Sequence, residues 1–464
     1  MTGLAILTAD EMRAAERALF DTGIPEYDVM ERAGAGAADA IWRAGARRDA
    51  LIVCGPGNNG GDGYVVARLL RDRGVPVRVA ACADPRTPSA IAARAAWGGP
   101  VEDIMTAAAA TQLVDALFGT GLARGLDAPL AARLNELAGK AAISHAIDLP
   151  SGLATDSGAC LSPVPTFDLC ITFGALKPAH MLRPGSGTFR RLVCAEIGID
   201  TGPARMHRLE APSIGAPDAD AHKYSRGLVA IVPGPMVGAG VLAACAAAHG
   251  GAGAVRYLEP HPTAGLPEAV VRLDAPTPAH ICERLAEKRV GAVLVGPGLG
   301  RDDAARARLR AALAGGHPAI VDADGIMLLA EMDLGLLPPS AILTPHQGEF
   351  ASLFGDLPGS KVDRGRAAAA RSGAVLVYKG PDTVIAAPDG RVAVAPPGSS
   401  WLSTAGTGDV LAGLCAARLA VGGDPFRAAC EAVWLHGEAA RLAGPALIAD
   451  DLAFHIPAAL ASRL

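Results

Sequence analysis

Short apolar runs that stop at glycine, proline or a polar turn recur along the chain. Leu51-Ile52-Val53-Cys54 ends at Gly55, Leu113-Val114 leads through Asp115 to Gly119, and Ile143–Ile147 leads to Asp148-Leu149-Pro150. A second series comprises Leu228–Val232, 292–295, Ala319–Val321, Ala341–Leu343 and Val375–Tyr378. Unalternated runs of this length predict strands buried on both faces, and the Ala-rich stretches between them predict the covering helices of an α/β fold. Thr8-Ala9-Asp10-Glu11 reads as a capping box opening a helix to about residue 22, with a second helix from near Tyr27. The strand 51–54, a helix over 64–73 and the strand 75–81 make a βαβ unit. Asp389-Gly390 predicts a hairpin turn between two short strands. The periodic pattern fades over 201–220, which is rich in Pro, Ala and Asp. The division expected is a Rossmann-like three-layer domain over 1–207, a linker over 208–221 and a second α/β domain over 222–464.

The length of 464 residues suits two or three domains. Half the residues are apolar and only 4% aromatic, so the core is built from Ala, Val, Leu and Ile. A net charge of −5 gives no electrostatic footprint for nucleic acid or an anionic membrane. The nine cysteines are scattered without zinc spacing, and their odd number argues against a disulfide framework. With no basic-then-apolar start, the expectation is a cytoplasmic protein with reduced thiols. Residues 227–255 carry no formal charge and could span a bilayer by length. Two prolines and many glycines there predict strand, turn and helix instead.

Polar residues gather where the apolar runs end. Ser403-Thr404-Ala405-Gly406-Thr407-Gly408-Asp409 is a glycine loop entering what reads as an amphipathic helix that closes near residue 422. Its first N–H groups lack internal partners and would bind phosphate. Asp409 would then be a base beside that phosphate. In the first half, Gly55, Gly57 and Gly60 satisfy G-x-G-x-x-G, but Asn58, Asn59 and Asp62 make the loop more polar than a dinucleotide fingerprint requires. With Asp115 and Asp148 they point to one composite pocket. Oxygens of Asn59, Asp115 and Ser151 would suit a hard cation. Plainer readings stay open at this stage: a helix N-terminus at Asp409, structural aspartates at 115 and 148, a loop hydrogen bonder at His346, turn formers at Asp322 and Asp324, and a solvated lysine at Lys379.

Taken together, G-P-G-N-N-G-G-D-G (55–63), V-D-A-L-F-G-T-G (114–121), D-L-P-S-G (148–152), His222-Lys223, G-P-G-L-G (296–300), D-A-D-G (322–325), T-P-H-Q-G-E-F (344–350), Lys379-Gly380 and A-G-T-G-D-V (405–410) resemble the bifunctional NAD(P)H-hydrate repair family. That family joins an epimerase domain to a nucleotide-dependent dehydratase domain of ribokinase-like fold. The resemblance implies that Asn58, Asn59, Gly60, Gly61, Asp62, Gly119, Thr120, Gly121, Leu122, Ala123, Arg124, Gly125 and Asp148 hold the hydrated dinucleotide. Asn59, Asp115 and Ser151 would hold K⁺. Ala239, Gly298, His346 and Asp409 would contact the hydrate in the second domain, and Lys379, Gly380, Pro381, Asp382, Thr383 and Gly408 the nucleotide. Asp148 would assist departure and return of the C6 oxygen, and Asp409 would be the base for phosphoryl transfer. ADP with Mg²⁺ is the implied co-substrate. The other partners expected are the hydrate itself and copies of the chain, with neither nucleic acid nor membrane.

The chain departs from the family pattern at Gln347, Ala405, Arg32 and the Pro381-Asp382 segment, where Pro381 removes an N–H. A ribokinase-type hydroxyl kinase would share Gly406–Asp409 but leave the first half idle. A non-catalytic module of the kind found in RNA-decapping scaffolds would leave the polar set without use.

Overall fold

The computed structural model describes residues 3–122 and 124–464. Residues Leu4–Ala204 form one compact unit and Arg205–Leu464 another.

The first unit is built on a seven-stranded sheet of β1 (Ala50–Cys54), β2 (Val77–Ala81), β3 (Glu102–Asp103), β4 (Gln112–Ala116), β5 (Ile143–Ile147), β6 (Phe167–Phe173) and β7 (Phe189–Ala195). The order is 3-2-1-4-5-6-7, with every pairing parallel. β1 is buried along its whole length, as its unbroken apolar run requires. The strand order reverses between β1 and β4, and ligands of open parallel sheets bind outside the strand ends at such a point. The capping box at Thr8 forms and opens the helix Ala9–Asp21.

The helix after β1 starts earlier than the glycines suggest. It runs Asn58–Asp72, so the supposed loop is its first turns. Packing explains the glycines: a Cβ at Gly60 would stand 1.9 Å from the Gly55 carbonyl oxygen, and one at Gly63 would stand 2.6 Å from the Ala116 Cβ. Glycine lets this helix lie against the strand ends, at a propensity cost that the packing offsets.

The second unit has ten strands: β8 (Met206–Arg208), β9 (Leu228–Val232), β10 (Ala254–Glu259), β11 (Val271–Asp274), β12 (Val290–Val295), β13 (Ala319–Val321), β14 (Ala341–Leu343), β15 (Val375–Tyr378), β16 (Val384–Ala386) and β17 (Val392–Val394). Their order is 11-10-9-12-13-14-15-16-17-8, parallel except for the antiparallel pairings of β16 with β15 and β17. The hairpin expected around Asp389-Gly390 is β16–β17. The expected boundary needs correction here. Residues 206–208 belong to the second sheet, pairing with β17, and the second unit begins at Arg205 rather than after a linker over 208–221. Three residues are too few to show a period, so the expected division left 206 and 207 with the first domain and 208 with the linker.

The uncharged stretch 227–255 resolves into β9, the helix Val237–His249 and β10. No helix among the described residues is long and apolar enough to cross a membrane. The helix Thr407–Gly422 corrects another expectation, because it is not amphipathic. Every residue from Val410 to Leu419 is buried, and the helix packs on β9 and β12 and on the helices Val237–His249 and Pro425–Ala443. At Gly413 a Cβ would stand 2.2 Å from the Ala243 carbonyl oxygen, which sets how closely two of these helices approach.

Candidate active sites

In the first unit a cleft of about 410 Å³ opens at the carboxyl ends of β1, β4 and β5. Asn58, Asn59, Asp62, Gly119, Thr120, Gly121, Leu122 and Asp148 line it, as do Glu16 and Lys177, which the sequence reading passed over. Gly57 caps the helix Asn58–Asp72 without a side-chain bond, leaving its first N–H groups for an anion. Gly60 and Gly61 act mainly as packing glycines, the space beside Gly61 being filled by Met30. Arg124 and Gly125 lie outside the cleft lining, with Gly125 packed against the Leu161 carbonyl. Ala123 lies outside the described residues.

Asp148 follows β5 with φ of 62°, a left-handed conformation uncommon outside glycine. Its Oδ1 accepts from Lys177 Nζ at 2.7 Å and Thr172 Oγ1 at 3.1 Å, and its Oδ2 accepts from the Thr120 N–H at 2.9 Å. Lys177 is 1% exposed and gives its other protons to Thr172 Oγ1 and the Phe173 carbonyl. Burial favours the neutral carboxyl, but the Lys177 charge and hydrogen bond override it and hold Asp148 below the ordinary carboxylate range. His180 accepts the Lys177 N–H on Nδ1, which leaves Nε2–H to donate to the Asp148 carbonyl at 2.8 Å. The lysine was legible only as a polar residue after an apolar run, the pattern Lys379 shows, and the charge at Asp168 masked that run.

Asp115 accepts from the Leu117 N–H at 3.1 Å, the Ser151 N–H at 2.9 Å and Ser151 Oγ at 2.7 Å. Burial raises its pKa to about 6 against those bonds. Ser151 Oγ also accepts the Phe118 N–H at 2.9 Å, tying the turn after β4 to that after β5. Beside this turn lies Asn59, whose buried amide oxygen and nitrogen have no hydrogen-bond partner among the described residues. A Cβ at Gly119 would stand 2.9 Å from that oxygen. An orphaned amide oxygen, a carboxylate and a hydroxyl set around one turn are oxygen donors of the kind K⁺ takes.

In the second unit Gly298, His346 and Lys379 follow strands, while Ala239, Gly408 and Asp409 lie in the first turns of helices. Ala239 and Gly298 adjoin, since a Cβ at Gly298 would stand 3.1 Å from that of Ala239. Lys379, after β15, donates to Asp322 Oδ1 at 2.9 Å and lies 3.8 Å from Glu349 Oε2. A Cβ at Gly408 would stand 3.6 Å from its Nζ, so the ammonium faces the first turn of the helix Thr407–Gly422. Burial disfavours this ammonium, but Asp322, Glu349 and Asp409 outweigh that and raise its pKa. Burial and then Asp322 push Asp409 up to about 6, with Lys379 pulling back. Three carboxylates thus surround one ammonium. The mouth would repel a nucleotide's phosphates unless a dication came with them.

His346 caps the helix Gln347–Phe354, its Nδ1 accepting from the N–H groups of Gly348 at 2.9 Å and Glu349 at 3.2 Å. That leaves Nε2–H on an exposed ring. Gln347, a departure from the family pattern, accepts from the Tyr378 hydroxyl. The stretch after Lys379 is less open to a nucleotide than expected. Asp382 turns inward to Lys361 Nζ at 2.6 Å, and Gly380 and Thr383 hydrogen-bond each other. Pro381, exposed beside them, has no N–H to give. Of the six nucleotide residues predicted, Lys379 and Gly408 are the two brought up to Asp409.

Sequence reasoning also missed His436. Its Nε2 lies 2.9 Å from the Thr407 carbonyl, and burial lowers its pKa to about 4, so the ring is neutral and Nε2–H donates. The Thr407 carbonyl and the Gly408 N–H belong to one peptide, so the bond fixes and polarises a donor of the anion loop. His436→Ala is expected to lower the kcat of the reaction at this second site about 10-fold, the worth of roughly one hydrogen bond, with Gln restoring part of it. Steady-state kinetics of the three proteins check this.

Residues 229–457 match the family model described as NAD(P)H-hydrate dehydratase, and residues 26–179 match that described as YjeF-related protein N-terminus. Proteins named bifunctional NAD(P)H-hydrate repair enzyme Nnr are similar over most of their length. The one from Salinibacter ruber is 37% identical, covering 99% of this chain and 96% of that protein. The one from Mycobacterium tuberculosis is 37% identical over 89% of each, and that from Escherichia coli is 31% identical over 96% and 92%. A solved structure of an ADP/ATP-dependent NAD(P)H-hydrate dehydratase from Bacillus subtilis, co-crystallised with ATP and Mg²⁺, aligns at a TM-score of 0.47 and 27% identity, over 54% of this chain and 95% of that one. With a relative matched nearly end to end and each unit carrying its own polar site at the strand ends, the chain belongs to the family of bifunctional NAD(P)H-hydrate repair enzymes.

Proposed function

We propose that the two sites divide one repair between them, the first interconverting the R and S hydrates of NADH or NADPH and the second dehydrating the S form with ADP, giving AMP and phosphate. The chain is a repair enzyme of hydrated nicotinamide cofactors by its family. The observation that carries the division is the pair of separate carboxylate–lysine sites, Asp148–Lys177 in one unit and Asp409 beside Lys379 in the other.

In the first site the ring nitrogen lone pair expels the C6 oxygen, and the Asp148 carboxylate offsets the charge of the resulting cation. In the second, Asp409 takes the proton of the C6 hydroxyl as its oxygen attacks the terminal phosphoryl. The N–H groups at Gly406–Gly408 and the Lys379 ammonium hold that phosphoryl. Phosphate departs from C6 with the bonding pair, C5 sheds a proton, and the dihydropyridine is restored. Mg²⁺ carried in on the nucleotide would neutralise phosphate charge, and K⁺ held by Asn59, Asp115 and Ser151 would fix the turns that meet the dinucleotide.

Adding the enzyme to both epimers with ADP or ATP, and following the nicotinamide absorbance, tests this. Complete recovery with ADP is expected. Recovery limited to one epimer's share would remove the first activity, recovery with ATP alone would reverse the nucleotide, and a stable phosphorylated product would favour a kinase.

A further inference from the structure

Three carboxyl groups line the first unit's cleft, and two of them, Asp148 and Asp62, are held under opposite conditions. Asp148 is fully engaged: three protein donors reach its oxygens, and the Lys177 ammonium has given each of its protons to Asp148, Thr172 or Phe173. A carboxylate so held has no proton to lend. Asp62, in the first turns of the helix Asn58–Asp72, is 9% exposed and lines the same cleft, and its carboxyl makes no hydrogen bond or ion pair among the described residues. A buried carboxyl with no donor around it is disfavoured as an anion and costs stability that no contact returns. The charged groups that face it are Asp148, Glu16 and Lys177. Burial, then Asp148 and Glu16, push its pKa well above the carboxylate range, and the lowering influence of Lys177 does not offset them.

We propose that Asp62 is the general acid of the epimerisation, handing its proton to the C6 oxygen of the hydrate as the C6–O bond breaks. The bonding pair stays on oxygen, which leaves as water, and the nitrogen lone pair closes to an iminium cation opposite the Asp148 carboxylate. Water then adds to C6, and the proton it sheds returns to the Asp62 carboxylate, directly or through a second water. Addition to the opposite face exchanges the epimers, and the enzyme ends as it began. Proton transfer thus falls to Asp62 rather than to Asp148, which keeps the electrostatic part. The proposal rests on the epimerase reading of this unit.

The test uses the full chain without nucleotide and separated epimers, with interconversion followed by chromatography. Asp62→Asn is expected to lower kcat at least about 100-fold, the low end for general acid catalysis, with KM changed only a few-fold. Asp62→Glu, which restores an acid, is expected to recover at least tenfold of that loss. Thermal melting confirms that both variants fold. Asp62→Asn within threefold of the parent would overturn the proposal, as would a folded Asp62→Glu no better than Asn, or the full loss appearing instead in Glu16→Gln. A parent protein unable to interconvert the epimers would overturn the epimerase reading itself.

Discussion

Alanine at Asp409 is expected to abolish dehydration while both hydrate epimers still interconvert. The drop in kcat should be about 10²–10⁴-fold, the range for removal of a general base. The reason is local: the carboxylate stands in the first turn of the helix Thr407–Gly422, beside the N–H groups of the loop and facing Lys379. The parent enzyme should also show an acid limb. Asp409 acts only when ionised, and burial together with Asp322 places its pKa at about 6. Dehydration therefore rises with pH through about 6 and levels above it, falling tenfold per unit below. Phosphate release and nicotinamide absorbance across that range check the sign. An Asp409→Ala protein that dehydrates at the parental rate, or a parent whose activity is flat from pH 5 to 8, would remove Asp409 from the chemistry.

How far this was legible in the sequence differs between strands and side-chain pairs. β1, β9, β13, β14 and β15 could be read from unbroken apolar runs because strands buried on both faces are mostly apolar, and Asp148 and Asp409 could be read because each interrupts the pattern, one at a strand end and the other in the first turn of a helix. β6 could not, since Asp168 breaks its run, and with it went Lys177, whose meaning depends on a carboxylate 29 positions earlier. Glycine misled in one direction. At 60–63 it marks close packing of a helix rather than a loop, and periodicity cannot distinguish the two. His436 was invisible for a related reason: its bond to Thr407 spans 29 positions, and nothing local to a helix reveals what its far face meets. Asp382 shows the converse, a residue placed in a binding loop by its neighbours in sequence and turned away by Lys361.

The Asp148–Lys177 pair carries both structure and chemistry, and two variants with their combination separate the roles. Lys177→Met leaves a carboxylate 6% exposed with no counter-charge, and Asp148→Asn leaves an ammonium 1% exposed in the same state. Either single change should cost about 3–5 kcal/mol, the usual penalty for stranding one member of a buried ion pair. The double variant strands neither, so its melting temperature should lie above that of both singles, a coupling that a thermodynamic cycle measures directly. Epimerisation should behave otherwise. Without the Asp148 charge the cation loses its electrostatic partner, and interconversion should stay down by about 10²–10³-fold in Asp148→Asn and in the double variant alike. Stability regained with interconversion still lost would mean that the lysine holds the aspartate while the aspartate serves the cation. If interconversion recovered along with stability, the pair would be only a brace for the turn after β5, and the charge that offsets the cation would have to come from Glu16 or Asp62, the other carboxyls that line the cleft.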